Sequence, residues 1–245
     1  MDLTIIGAGS MAMALADGWK KEHNIEFVVR DSLKYKSLKD NYIVHNLDGF
    51  NISDRNIVLA IKPYGLSSLK DILQGEARVV YSVMAGVPIK SLEDNIKSKY
   101  YIRTMPNISA KFQKSTTTVT GDLDLRDEAL ALFKLIGDAF WLDSEREIDI
   151  STAVAGSGPA LLALVAEALG DGLVKEGLRR DIATDITNSL FSGFAHLVYD
   201  AHPAIIKDRV MSPAGTTARA YYALEERGVR GAFIKAVEEA YNLLR

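Results

Sequence analysis

The sequence contains no cysteine, which excludes disulfides, thiolate metal ligation and a cysteine nucleophile, and fits an expected cytoplasmic location. Histidine is scarce: His23, His45, His196 and His202 are the four present. They show no metal-ligand spacing, so surface or packing roles are expected and no metal. An excess of one charge is lacking as well. With 29 basic and 32 acidic residues the net charge is −3, which offers little attraction to nucleic acid or an anionic membrane. Uninterrupted apolar runs are short against the roughly 18 residues of a membrane span, so no membrane partner is expected. Asp2, Gly7 and Gly9 break the N-terminal apolar run too early for a secretory signal. There is no internal repeat and no low-complexity tract.

What is present is an ordinary globular composition, 48% hydrophobic and 25% charged over 245 residues, enough for one large domain or two smaller ones. The N-terminal run Leu3-Thr4-Ile5-Ile6 stops on Gly7-x-Gly9-x-x-Ala12, and a helical pattern follows to about Lys21. In a strand–turn–helix context this is a dinucleotide-binding signature. Gly7 permits the tight turn, Gly9 admits a pyrophosphate next to the backbone, and Ala12 lets the helix pack close to the strand. The first N–H groups of such a helix are unpaired and suit a phosphate.

Residues 25–29 read as a second strand ending at Arg30-Asp31-Ser32, where this fold meets the adenosine ribose. An acid there would accept from a free 2′-hydroxyl, whereas an arginine suits a 2′-phosphate. Arg30 comes first, with Ser32 and Lys34 close by, so NADPH is favoured and NADH remains possible. Further strands are expected at 42–44, 56–62, 78–83, 100–104, 115–120 and 139–142, with a helix over 127–136. Apolar runs closed by small residues, as at Ala60-Ile61-Lys62-Pro63 and Met84-Ala85-Gly86, suit parallel strands buried on both faces that present a ligand at their carboxyl ends. Lys62 is placed to meet a phosphate or nicotinamide edge, or simply to be solvated.

Past residue 145 only helical periodicity remains. The division expected is an N-terminal α/β, Rossmann-like dinucleotide-binding domain over 1–148 and an all-α domain over 149–245. The 159–175 segment is apolar nearly all round, interrupted by Glu167 and Asp171. A helix of that kind must be covered, and a second subunit is the expected cover. Glu167 and Asp171 lie four apart, as a carboxylate pair, a wet stripe or an ion pair would. Two helix starts stand out, at Gly156-Ser157-Gly158-Pro159 and at Ser212-Pro213-Ala214-Gly215-Thr216-Thr217. In the second, Ser212 suits a cap and Pro213 the first helical position, leaving the N–H groups of Ala214, Gly215 and Thr216 for a carboxylate. An ordinary Ser-Pro helix start with small packing residues explains the same pattern.

Taken in order, Gly7-Ala-Gly-Ser-Met11, Ala60-Ile-Lys-Pro63, Met84-Ala-Gly-Val87, Ile102-Arg-Thr-Met-Pro-Asn107, Ala155-Gly-Ser-Gly-Pro-Ala160, Lys207-Asp208 and Ser212-Pro-Ala-Gly-Thr-Thr217 resemble the pyrroline-5-carboxylate reductases across essentially the whole chain. The resemblance implies NAD(P)H contacts at Gly7, Ala8, Gly9, Ser10, Met11, Ala60, Lys62, Pro63 and Ala85. Arg30 joins them on the reading above. It implies carboxylate binding at the backbone of Ser212, Gly215 and Thr216, a hydrogen bond from catalytic Thr217 to the ring nitrogen, and assembly of homodimers or larger oligomers through the helical domain. The reaction implied is hydride transfer to the C=N bond of 1-pyrroline-5-carboxylate, giving L-proline. An iminium nitrogen carries its own proton, so no strong enzymic acid is required. One departure is Ala214, where the family has glycine; if that position needs positive φ, alanine costs stability. Two rivals are a 3-hydroxyacid dehydrogenase-like oxidoreductase, whose lysine has no counterpart here before Lys175, and a non-catalytic NADP-binding regulatory protein.

Overall fold

In the computed structural model, residues 1–244 are described, the side chains of Ser32 and Lys34 excepted. β1 (Asp2–Ile6), β2 (Asn24–Val29), β3 (Ile43–Asn46), β4 (Asn56–Leu59), β5 (Ala77–Ser82), β6 (Ser98–Met105), β7 (Ser115–Gly121) and β8 (Gly137–Trp141) form one sheet in the order β3-β2-β1-β4-β5-β6-β7-β8. Growth of the sheet reverses at β1, so β1 and β4 are neighbours at the switch point where doubly wound folds hold their ligands. Neighbouring strands are parallel except β6 and β7. Only a short 3-10 turn at Ile108–Phe112 joins those two. A parallel return requires a crossover of a dozen or more residues, so the chain folds back instead.

Five helices accompany the sheet: α1 (Ser10–Trp19), α2 (Ser32–Leu38), α3 (Ile89–Asn95), α4 (Arg126–Lys134) and α5 (Glu145–Ala155). The central strands β1, β2, β4 and β5 are apolar on both faces because both are covered. Leu3, Ile5, Phe27 and Tyr81 pack with Trp19 and Phe133 on one side, and Ile6, Val28, Ile57 and Val80 pack with Leu92 on the other. Trp19 meets Phe133 edge to face at 5.4 Å, and its indole N–H donates to Leu132 O at 3.0 Å, which ties α1 to α4. Each such side chain contributes about 1.5–3 kcal/mol by burial. Ser144 and Glu147 form a capping box at the start of α5. Buried Arg103 on β6 pairs with Glu145 and Asp149 of that helix.

The described chain divides into two compact units, Met1–Ser157 with Ala240–Arg245, and Gly158–Glu239. The division falls later than the expected 148/149 because α5 packs on β7 and β6. The second unit carries α6 (Gly158–Lys175), α7 (Arg180–Asp200), α8 (Pro203–Val210), α9 (Thr216–Glu226) and α10, which runs Val229–Asn242. Within it only Gly170, Ala183, Thr187 and Ile206 are buried, while Leu162, Leu164, Leu190 and Phe194 stay exposed. By length and composition alone, the helical stretch Glu145–Lys175 is apolar enough to cross a membrane. The uninterrupted apolar runs within it remain short, because Glu167 and Asp171 break the pattern of α6.

Candidate functional site

A cleft of about 800 Å³ opens at the carboxyl ends of β1, β4 and β5 in the first unit. Its floor is the turn from β1 into α1. Gly7 sits at φ +112, and a Cβ there would lie 2.5 Å from Ala60 O, so glycine is obligatory for both conformation and space. Its N–H donates to Val28 O at 3.0 Å, which locks the turn to β2. Gly9 caps α1 at φ −82, and a Cβ on it would point into open space, the room a pyrophosphate needs. The first intrahelical bond of α1 runs from Met13 N–H to Gly9 O at 3.1 Å. The N–H groups of Ser10, Met11 and Ala12 therefore precede the ladder, and no acidic residue in the first turn opposes an anion.

Arg30 stands on one wall, its Nη2 donating to Ser68 Oγ at 3.3 Å. Asp31 also lines the cleft, but its Oδ1 accepts from the Leu33 N–H at 2.7 Å, so this oxygen is occupied at the start of α2. The side chains of Ser32 and Lys34, read above as companions of Arg30, lie outside the described residues. Ala60, Lys62 and Pro63 follow β4, and Ala85 follows β5. All ten residues assigned to the cofactor, Gly7, Ala8, Gly9, Ser10, Met11, Arg30, Ala60, Lys62, Pro63 and Ala85, line this one cleft. Sequence reasoning missed Leu47, Tyr64, Ser68 and Ile108, which line it too. Tyr64 and Ser68 follow Lys62-Pro63 directly, a proximity that hints at them, and Tyr64 is 87% exposed on the rim. Leu47 and Ile108 come from other loops, and no motif marks them.

The turn before α9 in the second unit differs from its expected form. Ser212 is not the cap and Pro213 is not the first helical residue. Gly215 is the cap and α9 begins at Thr216. Gly215 N–H donates to Ser212 O at 3.0 Å, closing a turn with Pro213 in its second position and Ala214 at φ +58 in its third. Proline followed by positive φ is a type II pattern, and the left-handed residue stops helix from forming before 215. The donors with no intrahelical acceptor are thus those of Thr216, Thr217 and Ala218, rather than Ala214, Gly215 and Thr216. Gly215 shapes the turn: a Cβ there would meet Ser212 Oγ at 2.3 Å. Thr217 is half-buried at the second helical position. Glu167 and Asp171 do not form a carboxylate pair, since Asp171 pairs with Arg180 of α7 and Glu167 borders a small recess beside it. His202 accepts the Ala204 N–H as a cap for α8.

Comparison with known proteins bears on both units. Residues 145–245 match the sequence model described as pyrroline-5-carboxylate reductase dimerisation. Residues 2–86 match that of NADP oxidoreductase, coenzyme F420-dependent. A pyrroline-5-carboxylate reductase of Helicobacter pylori is 32% identical over 256 residues, covering 99% of this chain and 98% of the relative. The crystal structure of 1-pyrroline-5-carboxylate reductase from Streptococcus pyogenes aligns with a TM-score of 0.88 at 25% identity, covering 100% and 98% of the two chains. The Plasmodium falciparum pyrroline carboxylate reductase, solved with NADP bound, has the same fold, with a TM-score of 0.82 at 23% identity over 100% and 97%. With its cleft at the switch point and its left-handed turn into α9, the chain belongs to the pyrroline-5-carboxylate reductase family.

Proposed function

We infer that this chain reduces the C=N bond of 1-pyrroline-5-carboxylate with NADPH, giving L-proline, and works as a homodimer or larger oligomer. The observation that carries the reading is the Ser212–Thr217 turn, with three outward N–H groups and a threonine hydroxyl at one helix end, inside the segment matching the family's dimerisation half.

The first unit fits a dinucleotide on its own geometry: space over Gly9, a helix N-terminus without an acid, and a guanidinium on the wall. Gly7 to Met11 would hold the pyrophosphate, Arg30 a 2′-phosphate, and Ala60, Lys62, Pro63 and Ala85 the remainder. Bound NADPH supplies the hydride. The α9 donors at Thr216, Thr217 and Ala218 hold the substrate carboxylate, with Ser212 beside them across Gly215. The Thr217 hydroxyl then reaches the ring nitrogen, which shares a carbon with the carboxylate. The iminium N–H donates to that hydroxyl, which orients the ring, and no side chain needs to supply a proton because the iminium already carries one.

The dehydrogenase reading requires a lysine near the start of α6, and α6 meets its first lysine at its last residue, Lys175. A regulatory NADP-binding protein would leave NADPH unoxidised. The deciding assay follows NADPH absorbance on addition of 1-pyrroline-5-carboxylate. Oxidation with stoichiometric proline is the expected result, and binding without turnover overturns the reading.

A further inference from the structure

We propose that Ser68 is a positioning residue that sets the cofactor preference by holding Arg30 over the cleft. The inference rests on the reading of Arg30 as the 2′-phosphate ligand and extends it to a residue outside the glycine turn and its strand. Ser68 follows the Lys62-Pro63 loop in a second short turn, half-buried at the cleft wall. Its hydroxyl donates to Gly65 O at 2.8 Å and accepts from Arg30 Nη2 at 3.3 Å.

A hydroxyl has one proton, and here the backbone carbonyl takes it. Ser68 is therefore oriented as an acceptor toward the guanidinium and has no second proton for a phosphate oxygen. Its contribution is indirect. An exposed arginine samples many rotamers, and anchoring one N–H to the cleft wall limits them while leaving other donors of the planar fork for a ligand. Binding then freezes less side-chain freedom, which is where preorganisation gains affinity. The pairing spans residues 30 and 68 and joins the loop after β2 to the loop after β4, so only the folded sheet creates it.

The test titrates NADPH and NADH by fluorescence into the wild type, Arg30→Ala, Ser68→Ala, Ser68→Thr and the double alanine variant. Ser68→Ala is expected to weaken NADPH by about three- to tenfold, the range of a modest hydrogen bond, and to leave NADH within about twofold. Ser68→Thr, which keeps the hydroxyl, retains the wild-type ratio. In the Arg30→Ala background the Ser68 substitution has no further effect. Unchanged NADPH affinity in Ser68→Ala overturns the proposal, as does a parallel loss of NADH. A Ser68 loss that persists without Arg30 also overturns it, since the hydroxyl would then bind phosphate directly. Equal losses of both cofactors in Arg30→Ala overturn the 2′-phosphate reading itself, and the proposal with it.

Discussion

Two positions, 214 and 217, stand on either side of the cap of α9. Alanine in the left-handed region at φ +58 costs about 1–2 kcal/mol, whereas glycine there loses roughly 0.4–1 kcal/mol through unfolded-state entropy. Ala214→Gly is expected to raise stability by up to about 1 kcal/mol in urea unfolding, and Ala214→Val to lower it, because a β-branched side chain fits that region worse. Glycine and valine variants of equal stability would contradict the strain. In the proposed reaction the working group at 217 is the hydroxyl. Thr217→Ala is expected to lower kcat/KM by roughly ten- to a hundredfold, a charge-assisted hydrogen bond being worth about 1.5–3 kcal/mol, with NADPH affinity nearly unchanged. Thr217→Ser recovers much of the loss and Thr217→Val does not. A valine variant as active as serine assigns Thr217 to packing alone.

The elements that hold the cofactor cleft are braced at the opposite end of the sheet, where α4 meets β5. Glu128 of α4 accepts from Arg78 and from the Tyr81 hydroxyl, the latter at 2.7 Å. Partial burial alone would raise the Glu128 pKa, yet the hydrogen bonds from Arg78 and Tyr81 outweigh it and hold the carboxyl below its ordinary 4.5. Burial, then the bond to Glu128, pushes the Tyr81 phenol far up, so it stays a donor at any working pH. A carboxyl with a depressed folded pKa stabilises the fold above its unfolded pKa, and that contribution disappears as pH falls through the folded value. Glu128→Gln should therefore be less stable than wild type at pH 7, with the gap closing below about pH 4.5; a gap independent of pH would show that the charge has no part in it. In the β1–α1 turn the constraint is steric. Gly7→Ala drives a methyl against the Ala60 carbonyl and is expected to abolish NADPH binding, which titration of the variant would show.

For the whole molecule, the imbalance between the units is the main physical fact. The first has a sheet packed on both faces, and the second has four buried residues and a display of leucine and phenylalanine. A single chain cannot stabilise such a helical unit, since each Leu left in water forfeits about 1.5–3 kcal/mol. Light scattering is expected to find a dimer or larger assembly. Leu164→Glu, at a position 61% exposed in the isolated chain, should break the assembly and lose activity. In a monomer the same change would be harmless, and an active wild-type monomer at low concentration would rule out assembly through this face.

Much of this was determined by the sequence alone, and the reason is local. Most strands are buried on both faces and written as apolar runs, and Ser115–Gly121 is rich in β-branched threonine, so all eight could be located within a few residues. The Gly7-x-Gly9-x-x-Ala12 turn and the order of the short motifs announced the cofactor fold and the family, because backbone needs such as φ +112 at Gly7 admit one residue type. Tertiary structure decided the rest. Ser212-Pro213 suits a helix start and a turn equally, and the folded chain chose the turn, which moved the free donors to Thr216, Thr217 and Ala218. The reversal between β6 and β7 followed from a connection too short to cross over. The last residues, from Ala240, count with the first unit, a return that no periodicity signals. Arg30 meets Ser68 only because β2 and β4 flank β1 in the sheet. Proximity between distant loops is a property of strand order, and strand order is not written in any one stretch of chain.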